Sequence, residues 1–177
     1  MRSIARTILG MALLGVPAYA QTTAKPPAAK PLTVDILNAQ GKSVGTATLT
    51  EVAGGVKIKL DIKSLPPGPH SMHIHEFPKC EPPDFKSAGP HFNAGGDAHS
   101  GHDHKGLSSG DIPNFFLTVA ADGTAHTSVV APGVSMGSAA NSVFTNGGTS
   151  IVIHEVATEV TASAPARMAC AVIAKPQ

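Results

Sequence analysis

Residues 32–62 read LTVDILNAQGKSVGTATLTEVAGGVKIKLDI, and this stretch decides the fold. Three runs rich in β-branched residues, Leu32–Leu37, Ser43–Thr50 and Val56–Ile62, are separated by turn-forming residues at Asn38 to Lys42 and at Ala53-Gly54-Gly55. Short β-prone segments joined by such turns predict strands in a meander. Working outward, five more segments of the same kind follow: Ser71–His75, Phe115–Val119, Thr124–Val130, Ser150–Glu155 and Met168–Ile173. Ala121-Asp122-Gly123 adds a third hairpin signal, because Asp-Gly supplies the positive backbone angles of a tight turn. Eight strands at this spacing predict an all-β domain, a sandwich or flattened barrel. The composition agrees: with 18 Gly, 15 Pro, 4% aromatic residues and no Trp in 177 residues, the core must be small and aliphatic. Disordered, collagenous and coiled-coil classes are excluded by the same figures.

The N-terminus reads as an export signal. Arg2 and Arg6 precede the apolar run Ile8–Val16, and Ala18-Tyr19-Ala20 supplies the small residues of a cleavage site, so residues 1–20 are expected to be a signal peptide. A membrane span needs about 20 apolar residues, and this run is far shorter. With no cysteine nearby to accept a lipid, no membrane anchor is expected after cleavage. Residues 21–31, QTTAKPPAAKP, have the composition of a disordered linker, and 32–177 are one domain's worth of chain. Removing the first twenty residues leaves 11 basic against 12 acidic residues. That balance offers no basic footprint for nucleic acid.

Between Phe77 and Asn114 the chain is dense in Gly, Pro, His and Asp and shows no periodicity. A loop of that length in a compact domain is usually functional or disordered. The loop and its borders hold seven of the nine histidines: His70, His73, His75, His91, His99, His102 and His104. Imidazole is the commonest nitrogen donor to metals and suits copper and zinc. Alternation along a strand puts His73 and His75 on one face, close enough to grip a single ion. Alone, that pair is also what two surface histidines on a strand would look like. His126 stands apart from the cluster and is given no role, and Ala131–Gly148 reads as an ordinary long connection.

The order and spacing of SMHIHEF (71–77), Cys80, AGPHFN (88–93), His99, SGDIPN (109–114), IVIHE (151–155) and Arg167-Met168-Ala169-Cys170 resemble the copper,zinc superoxide dismutase family over about residues 32–174. The resemblance implies a Greek-key fold with long metal-binding loops. It makes His73, His75, His91 and His154 the copper ligands, with His91 also bridging to zinc and supplying a proton in the reaction. It makes His99 and Asp111 further zinc ligands, Arg167 the arginine that orients the substrate, Cys80 and Cys170 a disulfide, and His70 a structural hydrogen-bonder. Arg167 is the only arginine after residue 20, in a chain that otherwise uses lysine for its cations.

Several positions depart from the family pattern. Ser108 stands where a zinc-binding His is usual, and Thr158 stands where the family has an Asp that links the two metal sites. The segment between His154 and Arg167 is short and holds Glu155 and Glu159 but no lysine. The copper ligand set is therefore complete, while zinc is left open. His102 and His104 are open as substitute zinc ligands, as copper-acquisition residues, or as a solvated loop tip. The expected function is an exported superoxide dismutase, periplasmic or secreted, that converts superoxide to dioxygen and hydrogen peroxide at copper. The alternative is a non-catalytic copper-binding or copper-delivery protein of the same fold. A homodimer is left open.

Overall fold

In the run Gly55–Ile62, Val56, Ile58, Leu60 and Ile62 are buried while Lys57 and Lys59 face solvent, so one face of the strand makes core and the other carries charge. The computed structural model describes residues 30–95, 108–155 and 166–176. Among them the strands are β1 (Leu32–Asn38), β2 (Ser43–Val52), β3 (Gly55–Ile62), β4 (Gly68–His70), β5 (Met72–His75), β6 (Leu117–Val119), β7 (Ala125–Ala131), β8 (Thr149–His154) and β9 (Arg167–Ile173). The eight expected strands are all present, with ends shifted by a residue or two. The addition is β4, a three-residue piece containing Pro69 that the surrounding prolines conceal in the sequence.

β1, β2 and β3 pair antiparallel in chain order, as a meander. The first turn is closed by Asn38, whose Oδ1 accepts the backbone N–H of Gln40 and of Lys42 at 3.0 Å each. The sheet order is β5-β8-β9-β1-β2-β3-β7, with β4 and β6 forming a separate pair. β4 and β5 are consecutive, so one passage of chain pairs with β6 at its start and with β8 at its end. The β6–β7 turn is closed by Gly123 N–H to Ala120 O at 2.9 Å. The antiparallel sheet is curled, and the β3–β4 and β7–β8 connections each cross from one side of it to the other, which is the Greek-key path.

The interior is filled by Ile36, Leu49, Ile58, Leu60, Ile62, Met72, Ile74, Leu117, Ile151, Ile153 and Ile173, all essentially inaccessible to solvent. Each such side chain contributes about 1.5–3 kcal/mol by leaving water. The Ala131–Gly148 connection is more than a tether. It buries Val134, Met136 and Val143, forms a bridge between Ser135 and Ser142, and is tied to β2 by the Met136 N–H donating to the Glu51 carboxylate. Among the described residues no helix is long and apolar enough to cross a membrane.

Candidate metal centre

Strand alternation sorts β5 and β8 into two faces. Met72 and Ile74 of β5 and Ile151 and Ile153 of β8 point into the core, so His73, His75, Val152 and His154 lie on the outer face. Residues 76–91 fold over that face and build a second small core there, with Phe85 and Ala88 against Val152 and Cys170. Cys80 and Cys170 form the expected disulfide and join this loop to β9.

One backbone knot brings the loops to the strand. Phe92 N–H donates to Ile74 O at 2.8 Å, Ile74 N–H to Gly110 O at 2.9 Å, and Gly110 N–H to Phe92 O at 2.8 Å. Each residue of the knot neighbours a candidate ligand: His73 and His75 flank Ile74, His91 precedes Phe92, and Asp111 follows Gly110. Glycine is required at 110 because a Cβ there would sit 2.1 Å from Ile74 O. Gly110→Ala is therefore expected to lower both the melting temperature and copper retention. A variant that melts like the parent and holds a full equivalent of copper would contradict this account of the knot.

The knot and strands together place one ligand atom from each of His73, His75, His91 and His154 within 4.8 Å of one another. The rings of His73 and His91 stack with centroids 4.1 Å apart. His75 Nδ1 donates to Gly89 O at 2.9 Å, which leaves its Nε2 with a lone pair, and His91 Nδ1 is held by Asp111 in the same way. His73 Nδ1 and His75 Nε2 are buried and have no hydrogen-bond partner among the described residues. Leaving such an atom unsatisfied costs about 1–3 kcal/mol, and lone pairs converging on one point are what a metal ion relieves. Four imidazole nitrogens fit copper.

Burial lowers the pKa of His73 to about 3 and that of His75 to about 2, and the neighbouring His91 pushes both the same way. These two rings are thus neutral near pH 7 and suited to a cation. These histidines are protonated less readily in the folded than in the unfolded chain, so between pH 6.5 and 3 the unfolded state binds more protons. The melting temperature of the metal-free protein is expected to fall as pH is lowered through that window. A flat or rising profile would show that the cluster is not preformed.

His70 is buried and lies between two carbonyls, Nδ1 at 2.9 Å from His154 O and Nε2 at 2.8 Å from Pro66 O, which holds the backbone at the fourth histidine. Arg167 reaches the same region by a break in register. Ile153 pairs with Ala169 but His154 pairs with Arg167, so Met168 is an extra residue in β9. Strict alternation would turn Arg167 to the core side with Ala169; the bulge re-aims it outward. Its Nη1 then donates to Phe85 O and its Nη2 to Gly89 O, each at 2.8 Å. Gly89 O thereby accepts from both Arg167 and His75. Burial lowers the Arg167 pKa, and the charge of Asp84 opposes that shift, so the guanidinium stays a cation.

Asp111 lies beside His91, with Oδ1 2.7 Å from His91 Nδ1 and Oδ2 accepting the Ser108 N–H at 2.7 Å. Burial raises its pKa, but the His91 and Ser108 hydrogen bonds outweigh that and lower it overall. The described residues make no closed zinc site: the four-histidine group is the one metal-competent group among them. His99, His102 and His104 lie outside the described residues, as do Thr158, Glu159, the expected signal peptide and all of the expected linker except its last two residues. Outside the centre, His126 caps a surface pair, its Nδ1 3.0 Å from Asp61. The carbonyls of Phe85 and Gly89 are the functional groups that sequence reasoning missed, since a backbone oxygen leaves no signal in residue identity.

The comparisons agree with this geometry. A family model described as copper/zinc superoxide dismutase matches residues 43–173. A superoxide dismutase [Cu-Zn] of Caulobacter vibrioides is 41% identical over 140 residues, covering 75% of this chain and 79% of that protein. Superoxide dismutase [Cu-Zn] 1 of Aquifex aeolicus is 38% identical over 145 residues, covering 78% and 85%. Among solved structures, a double mutant of a SOD-like protein from Bacillus subtilis superposes with a TM-score of 0.69 at 31% identity, covering 81% of this chain and 97% of that one. With the outer-face histidines, the bulged arginine and these matches in agreement, the chain belongs to the copper/zinc superoxide dismutase family of enzymes.

Proposed function

We propose that this protein is an exported, copper-dependent superoxide dismutase in which His73, His75, His91 and His154 hold copper and Arg167 binds the substrate. The observation that carries the reading is the shared carbonyl of Gly89, which fixes a copper-ligand candidate and the arginine by one atom. Two superoxide anions and two protons become one dioxygen and one hydrogen peroxide. Copper, when bound, supplies the one-electron chemistry this requires by alternating between two oxidation states, which zinc does not do.

The chain's own groups do the rest. Arg167 attracts and orients a small anion with a fixed charge and a planar fork of donors. His91, its ring kept in place by Asp111 at Nδ1, would carry a proton at Nε2 only while that atom is off the copper, and pass it to the reduced product. A pure copper carrier has no need of a guanidinium beside its ligands, which favours the enzyme over the delivery module. Export to the periplasm or beyond is supported by the signal pattern of residues 1–20 and by the Cys80–Cys170 disulfide, a bond that persists in oxidising compartments. The test is steady-state dismutation by copper-loaded protein, repeated after chelation. Activity that appears with copper and disappears with the chelator supports the proposal. Tightly bound copper without turnover would instead make the protein a carrier.

A further inference from the structure

The family's second metal is zinc, and among the described residues the Asp111 carboxylate is engaged in hydrogen bonds with His91 and Ser108. Two atoms bound to one tetrahedral zinc, each about 2.0–2.2 Å from the ion, stand roughly 3.3–3.5 Å apart. His91 Nδ1 and Asp111 Oδ1 are 2.7 Å apart. That is the length of a charge-assisted hydrogen bond, and it is shorter than the separation of two atoms on one zinc. The other carboxylate oxygen, Oδ2, accepts the Ser108 N–H at 2.7 Å, which fixes the orientation of the carboxylate toward His91. Ser108 stands at the position where the family has an imidazole, and it meets Asp111 through its backbone. Asp111 N–H in turn donates to Ser108 O at 3.0 Å, closing a turn that fixes the carboxylate, while Gly110 anchors it to β5 through the knot with Ile74 and Phe92.

We infer that Asp111 takes the structural place of zinc: its carboxylate accepts the Nδ1–H of His91 directly and so presents Nε2 of that ring to copper. A zinc bridge would hold the imidazole by its Nδ1 lone pair. Asp111 holds it by the Nδ1 proton instead, which sets the tautomer and the ring orientation together. Asp111 is then a positioning residue of a copper-only centre, acting through His91. The inference rests on the proposed copper site, and its test is separate from the activity test.

The experiment uses the full protein, loaded with copper in the presence of excess zinc and dialysed against a mild chelator, as wild type and as Asp111→Asn and Asp111→Ala. The amide of Asp111→Asn keeps the shape and guards against simple misfolding, and melting temperatures are recorded for all three. The wild type is expected to retain one copper and no zinc. Both variants are expected to bind copper roughly 10 to 100-fold more weakly, the loss typical of removing a partner behind a ligating histidine. They are also expected to show a changed Cu(II) paramagnetic resonance spectrum, which a merely structural role would not produce. One equivalent of zinc retained by the wild type would overturn the inference. So would variants whose copper affinity and resonance spectrum match the wild type. A wild type that binds copper alone but does not dismutate superoxide would defeat the proposed function and leave Asp111's place intact.

Discussion

Arg167→Ala is expected to leave the copper content unchanged and to lower dismutation by tenfold or more. Copper retention follows from the geometry, because Gly89 O keeps its hydrogen bond from His75 when the arginine is gone. The activity loss follows from removing a charge-assisted contact to an anion, worth on the order of 1.5–3 kcal/mol, and each 1.4 kcal/mol is about a factor of ten in rate. Two carbonyls hold the guanidinium through one nitrogen each, Phe85 at Nη1 and Gly89 at Nη2. Five N–H donors make up the fork, so donors remain for an anion. Arg167→Lys restores the charge but cannot span both carbonyls, and its activity should fall between the two. The check is steady-state dismutation normalised to copper measured in the same samples. Full activity in Arg167→Ala would remove the residue from the mechanism.

The arginine also shows where reading the sequence stops. The meander over residues 32–62 was legible because turn residues and β-branched runs act locally, and the structure forms β1, β2 and β3 within two residues of the expected ends. The histidines were legible as a set because His73-x-His75 on a strand must share a face, and because the order of the remaining ligand candidates matched a known family. The route by which Arg167 joins them was hidden. Simple alternation from Ala169 points it into the core, and only the extra residue Met168, a matter of pairing between β8 and β9, turns it out. The carbonyls of Phe85 and Gly89 and the Ile74–Phe92–Gly110 knot were equally invisible, since they are backbone contacts between segments far apart in the chain. His70 could be given its structural part only through the resemblance. The two carbonyls it meets belong to Pro66 and His154.

Removing the disulfide, by reduction or by Cys80→Ala with Cys170→Ala, is expected to cost the largest share of stability of any change at this site. The bond closes a loop across a separation of 90 residues. In the chain-entropy account, opening such a loop frees the unfolded state by roughly 4–5 kcal/mol. For a domain of this size that is a fall in melting temperature of about 10–20 °C. The loss is not confined to the unfolded state. Cys80 anchors the segment that carries Phe85 and Gly89, while Cys170 lies three residues beyond Arg167 in β9. The bond therefore joins the two sides of the arginine's cradle, and the small core of Phe85, Ala88, Val152 and Cys170 packs around it. Activity should accordingly decline on reduction at temperatures where the barrel is still folded, because the loop can lift from the outer face while β1, β2 and β3 stay paired. The measurement pairs thiol labelling of unfolded, non-reduced protein, expected to modify neither cysteine, with melting curves and dismutation before and after reduction. Labelled cysteines without reduction would deny the bond. An unchanged melting temperature would deny its weight, and full activity in reduced, folded protein would mean that the second core holds Phe85 and Gly89 in place without it.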